Sequence, residues 1–126
     1  MKEIKTDHWS LLIPTEWLSE QDEETIIIQD PDAISSLEIT TILPTKGNNL
    51  KSISDQMTQD KRPVQLSGLQ AFYHEFKEDG EFWREWICLN EHFILLLSHG
   101  CEQENQGYDD AIIDEIIATL LYEQAK

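Results

Sequence analysis

The sequence predicts an α+β domain built on a mostly antiparallel six-stranded sheet with helical layers. Three observations lead there. Glu81 to His99 holds two strand-like runs, EFWREWICLN and HFILLLSH, joined by a tight connection at Asn90-Glu91. The second run carries bulky apolar residues on both parities, Phe93, Leu95 and Leu97 as well as Ile94 and Leu96. A strand of that kind is covered on both faces and belongs in the middle of a sheet. Near the end of the chain, Tyr108, Ile112, Ile116 and Leu120 form one i+4 ridge and Ile113, Ile117 and Leu121 the next, the pattern of an amphipathic helix.

In chain order, the first strand is His8 to Ile13, where Trp9, Leu11 and Ile13 alternate with His8 and Ser10 before Pro14 ends the ladder. Trp17 and Leu18 follow in a turn that folds the indole back, and Glu20 to Glu24 reads as a solvated turn. Thr25 to Gln29 (TIIIQ) is a short β-branched strand closed by the turn signal Asp30-Pro31-Asp32. Ser36 to Leu43 is the third strand, stopped by Pro44. Asn49 caps a helix whose stripe is Leu50, Ile53 and Met57 and which ends before Pro63. Leu69 to Phe76 alternates as a strand, Lys77 to Gly80 is a hairpin loop, and the Glu81 to His99 pair completes a three-stranded meander. Cys101 to Gly107 is a loop. Asp109 and Asp110 then open the last helix at the positive end of its dipole. The order is strand, strand, strand, helix, strand, strand, strand, helix.

With 126 residues the chain is a single domain, and a 40% hydrophobic content with four Trp supports a real core. Nothing approaches the run of about 18 apolar residues that spans a membrane, and MKEIKTDHWSLLIP lacks the features of a secretory signal, so a cytoplasmic location is expected. Cys88 and Cys101 set no disulfide framework. The formal charge of −16 opposes binding to nucleic acid and to anionic membranes, and it favours a basic protein partner or solubility. Acids gather from Glu16 to Asp32 and from Glu85 to Ala125, two stretches without Lys or Arg. Lys46, Lys51, Lys61 and Arg62 form the locally basic region.

The opening WSLLIPTEW, with Trp9, Ile13-Pro14 and Trp17, the later Gly68-Leu69-Gln70-Ala71 and the terminal amphipathic helix make the chain resemble the PsbP-like α/β/α sandwich superfamily. That group includes photosystem oxygen-evolving subunits, the Ran nucleotide-release factor and DcrB-type bacterial proteins. The resemblance implies an α/β/α sandwich used for protein–protein contacts, with no catalytic residues to carry over. The chain also resembles small bacterial proteins of this fold, some of which stand beside secreted toxins as immunity factors.

Sites of chemistry are thinly represented. His99 and Cys101, with Cys88 or His92, are the nearest approach to a metal set, but neither C-x-x-C nor H-E-x-x-H is present and no metal or cofactor is expected. Ser98 and His99 are neighbours on a strand and so point to opposite faces, and there is no G-x-S-x-G elbow. Trp83 and Trp86 have opposite parity, so they face different layers. The sequence therefore reads as a non-enzymatic binding domain. Glu20, Asp22, Glu23, Glu24, Asp30 and Asp32 would steer a cationic partner, with Trp17 as an apolar anchor beside them. In its sharpest form this is an immunity or antitoxin-type protein masking a basic toxin. Two alternatives stand beside it: a small-molecule or enzymatic domain with a pocket between sheet and helix, marked by His74, His92 or Tyr73, and a self-associating structural component.

Overall fold

The computed structural model describes residues 1–45, 47, 49–66 and 69–122. Their elements run β1 (Lys2–Lys5), β2 (Trp9–Ile13), β3 (Leu18–Asp22), β4 (Thr25–Gln29), β5 (Ser35–Ile42), α1 (Leu50–Met57), β6 (Arg62–Leu66), β7 (Leu69–Glu78), β8 (Glu81–Leu89), β9 (Ile94–Glu102), a 3-10 turn (Gln103–Asn105), α2 (Asp110–Ala118) and β10 (Leu121–Tyr122). They form two sheets: a seven-stranded one in the order β3-β4-β5-β9-β8-β7-β6 and a three-stranded one in the order β1-β2-β10. Neighbouring strands are antiparallel.

The leucine-rich strand β9 is the fourth of seven, flanked by β5 and β8, as its loss of alternation demands. Ile94 at its start faces one way and Leu95 and Leu97 the other, and all three are buried. The inner face of the large sheet presents Ile26, Ile28, Leu37, Ile39, Leu95, Leu97, Trp86 and Cys88. These pack against Trp9, Leu11 and Ile13 of β2 and against Ile113, Ile116, Ile117 and Leu120 of α2 and its continuation. The Trp9 indole N–H donates to Thr41 Oγ1 (3.0 Å), tying the small sheet to β5. The covering layer on this side is thus part helix and part sheet.

Several expectations are corrected. The sheet has seven strands rather than six, and its spatial order is not sequential. The His8 to Ile13 run forms β2 of a separate sheet, with β1 and β10 as partners that no apolar pattern announces. Glu20 to Glu24 is not all a solvated turn: Glu20 to Asp22 end β3, whose five residues are all exposed and which pairs with β4 on one side. The stretch after α1 is β6, with Pro63 tolerated because the strand lies at the sheet edge. The loop expected at Cys101 starts later, since β9 runs to Glu102.

The last helix stops at Ala118, shorter than the ridges suggest. Thr119 Oγ1 donates back to the Ile116 carbonyl (2.7 Å) and accepts from the Leu12 N–H (2.8 Å), so the chain turns there. Leu121 then pairs with Ser10. The meander is present as β7-β8-β9, but the β7–β8 loop is two residues, not four: Asp79 (φ 52°) and Gly80 (φ 80°) connect the Glu78–Glu81 pair. Positive φ at both central positions suits the right-handed twist of a hairpin. The α1 cap is as expected, with Asn49 Oδ1 accepting from Ser52 N–H (2.8 Å). Gly68 of the quoted motif and Lys46 of the basic region lie outside the described residues. No helix among the described residues is long and apolar enough to cross a membrane.

Candidate functional site

Four of the acidic residues singled out above, Glu20, Asp22, Glu23 and Glu24, gather along one edge of the large sheet, whereas Asp30 and Asp32 lie in the turn between β4 and β5. Among the described residues β3 is the terminal strand, held by backbone pairing to β4 alone. Glu20 stands opposite Ile27 and Asp22 opposite Thr25. Glu23 and Glu24 form the hairpin turn that follows, with Glu23 in the left-handed region (φ 57°). The Gln21 side-chain amide donates to the Glu23 carbonyl (3.1 Å), and Thr41 N–H donates to the Glu24 carbonyl (3.0 Å), which fixes the turn against β5. Among the described residues Glu20, Asp22, Glu23, Glu24 and Asp32 enter no ion pair.

Two members of the expected set do something else. Trp17 is only 5% exposed and belongs to the core, so it is no anchor for a partner. The exposed apolar residue at this edge is its neighbour Leu18, at 62%. Asp30 is buried, and its carboxylate accepts from the backbone N–H groups of Asp32 (3.2 Å) and Ser35 (3.1 Å). It shapes the turn between β4 and β5 rather than facing a partner.

Sequence reasoning missed a second segment that completes this corner. The β1–β2 turn, with Asp7 and His8, borders the same cavity as Glu23 and Glu24, together with Ile26, Thr41 and Leu43. Thr6 builds that turn. Its Oγ1 accepts from the N–H groups of His8 and Trp9 (both 3.1 Å) and donates to the Trp9 carbonyl (3.2 Å). The His8 ring rests on Phe93, with centroids 5.2 Å apart.

The other constellations resolve into structural roles. Ser98 and His99 do point to opposite faces. Ser98 Oγ donates to Glu85 Oε2 (3.1 Å), and Glu85 Oε1 meets His74 Nε2 (2.5 Å). The carboxylate therefore sits between serine and imidazole, whereas an activated nucleophile needs the base directly beside it. His99 lies on the inner face, where Arg84 Nε donates to its Nδ1 (3.2 Å) and Arg84 Nη1 donates to Asp114 (3.0 Å). Burial first, and the guanidinium second, lower the His99 pKa to about 4. Cys88 faces Leu95 on β9, six residues from Cys101, so the two thiols are about 20 Å apart along the strands and unbridged. Burial pushes the Cys88 thiol up to about 12, which makes it unreactive.

Trp86 is buried on the inner face, while Trp83 lies half-buried on the other, stacked on Phe76. Tyr73 and His74 point to opposite faces of β7 and His92 is exposed in the β8–β9 turn, so these three do not converge on a pocket between sheet and helix. Among the described residues no group of three or more His, Cys, Asp or Glu is arranged to hold a metal ion.

No protein-family model matches the chain, and no curated protein matches it. Solved structures do. The solution structure of cyanobacterial PsbP (CyanoP) from Synechocystis sp. PCC 6803 superposes with a TM-score of 0.66 at 8% identity, covering 97% of this chain and 92% of that one. LpqN of Mycobacterium tuberculosis, described as involved in cell envelope biogenesis, gives 0.60 at 12% identity, covering 98% and 91%. A crystal structure from Bacteroides thetaiotaomicron VPI-5482 gives 0.67 at 18% identity, covering 92% of this chain. The chain spans 45% of that protein's length. The fold is therefore PsbP-like. At such identities the likeness is one of fold.

Proposed function

We propose that this PsbP-like domain is a non-catalytic binding module that recruits a cationic protein segment to its acidic sheet edge. One observation carries the reading: β3 is a wholly exposed edge strand bearing Glu20 and Asp22, continued by Glu23 and Glu24, and none of the four is neutralised by an ion pair within the described residues.

An open edge offers a row of backbone donors and acceptors to an added strand. Its charge selects what can be added. A second copy of this chain, also at −16, is repelled, while an extended segment carrying Lys or Arg is attracted. The opposite edge, β6, is less suited, because Pro63 lacks the N–H a new ladder would need. Leu18 beside the acids supplies apolar contact area in place of the buried Trp17. An immunity-type protein masking a basic toxin is the most specific form of this reading, and the acidic edge is what supports it.

The test is direct binding of a ten-residue peptide of alternating lysine and valine, against its glutamate–valine counterpart. Binding should be confined to the lysine peptide and weaken sharply at about 0.5 M salt, where screening shortens the reach of charges well below 10 Å. The double variant Glu20→Lys, Asp22→Lys should lose it. Equal binding of both peptides, or an unaffected double variant, would refute the reading.

A further inference from the structure

A cavity of about 330 Å³ opens where the β1–β2 turn approaches the β3–β4 hairpin, at one end of the space between the two sheets. Its lining is of two kinds. Ile26 and Leu43 are apolar, and Asp7, Glu23 and Glu24 place carboxylates around them. Lys5 also borders the space, so among the described residues three carboxylates stand against one ammonium and the lining they make is negative.

Resting on the reading above, we propose that this cavity receives one lysine or arginine side chain of the bound partner protein. The stem of that side chain lies against Ile26 and Leu43, and its charged head is held by Asp7, Glu23 and Glu24. Long basic side chains combine an apolar stem with a charged tip, which is the combination these walls offer. The volume lies at the lower end of the range for ligand sites, enough for a single side chain and too small for a folded element. Both rims are set before anything binds. Thr6 closes the β1–β2 turn on itself, and Thr41 N–H holds the Glu24 carbonyl at 3.0 Å. A preorganised pocket loses little entropy on binding, so one anchor there contributes strongly. The cavity thus adds selectivity to an edge that would otherwise accept any basic strand.

The experiment uses the full chain and the lysine–valine peptide, with a second peptide set in which single lysines are replaced in turn by norleucine. Leu43 is exposed at the rim, so Leu43→Trp fills the cavity without entering the core. The inference predicts that one norleucine position costs far more affinity than the rest. It also predicts that Leu43→Trp weakens the lysine peptide about tenfold, the effect of losing one good anchor, and that the Lys5 to His8 amides shift on binding. If Glu20→Lys, Asp22→Lys abolishes binding while Leu43→Trp and every norleucine peptide leave it unchanged, the edge reading stands and the cavity proposal is wrong. If the edge variant itself binds normally, the reading fails first. Saturable binding of spermidine that Leu43→Trp removes, with peptide binding unaffected, would make the cavity a small-cation site and overturn the proposal.

Discussion

Arg84 on β8 and His99 on β9 face each other across the inner side of the sheet, with Arg84 Nε donating to His99 Nδ1 at 3.2 Å beneath α2. His99 is 3% exposed and Arg84 6%, and the guanidinium also reaches Asp110 (3.5 Å) and Asp114 (3.0 Å) on the helix. Burial first, and the charge of the adjacent guanidinium second, make this imidazole resist protonation, which is why its pKa falls to about 4.

That pair makes stability depend on pH. His99 titrates near 6.5 in the unfolded chain and near 4 in the folded one, so the stabilisation is complete above 6.5 and is lost as pH falls towards 4. Between those values the unfolded state binds a proton that the native state refuses. The loss is of the order of 3 kcal/mol. Urea denaturation at a series of pH values measures it, and His99→Gln, which keeps an acceptor for Arg84, should flatten the slope in this window.

Gly100 is required by its neighbour. A β-carbon at this position would stand 2.5 Å from Trp83 Cζ3, with the rest of the ring almost as close. Gly100→Ala should destabilise by about 1–3 kcal/mol through overpacking. In a double-mutant cycle, Trp83→Leu should relieve much of that loss; strict additivity would show that the indole does not lie where it is described.

Ile116 is fully buried where α2 meets the sheet. Ile116→Ala should cost about 2–5 kcal/mol, read as a lower urea midpoint with little change in slope. A cost below about 0.5 kcal/mol, as for a surface substitution, would mean that α2 does not roof the sheet.

Glu23 holds a left-handed backbone at φ 57°, a region that is costly for any residue with a β-carbon. Glu23→Gly should raise stability by up to about 1 kcal/mol while weakening the lysine peptide. The two effects separate on one variant: denaturation reads the first and peptide titration the second.

What could be read from the sequence was what apolar pattern dictates. Phe93 to Leu97 announced a central strand, Ile113, Ile116 and Ile117 a covering helix, and Asn49 a cap. What escaped was held by backbone or by distance. β3 (LSEQD) has no buried side chain, so its strand state comes from pairing with β4 and leaves no trace in its residues. Pro63 looked like a stop because the sheet edge that tolerates it is a tertiary fact. β10 is two residues whose partner lies more than a hundred positions away. The acids of the site were visible, yet their sorting was not: Trp17 and Asp30 turn inwards, and Asp7 and His8 join Glu23 and Glu24 through the stacking of two sheets.

Amide hydrogen exchange along β3, with and without saturating lysine–valine peptide, tests the binding edge most directly. Protection should appear on alternate residues between Leu18 and Asp22, those whose N–H groups point away from β4, and should vanish in the Glu20→Lys, Asp22→Lys variant. Saturated binding that leaves every β3 amide exchanging as in the free protein, or that protects β6 instead, would contradict it.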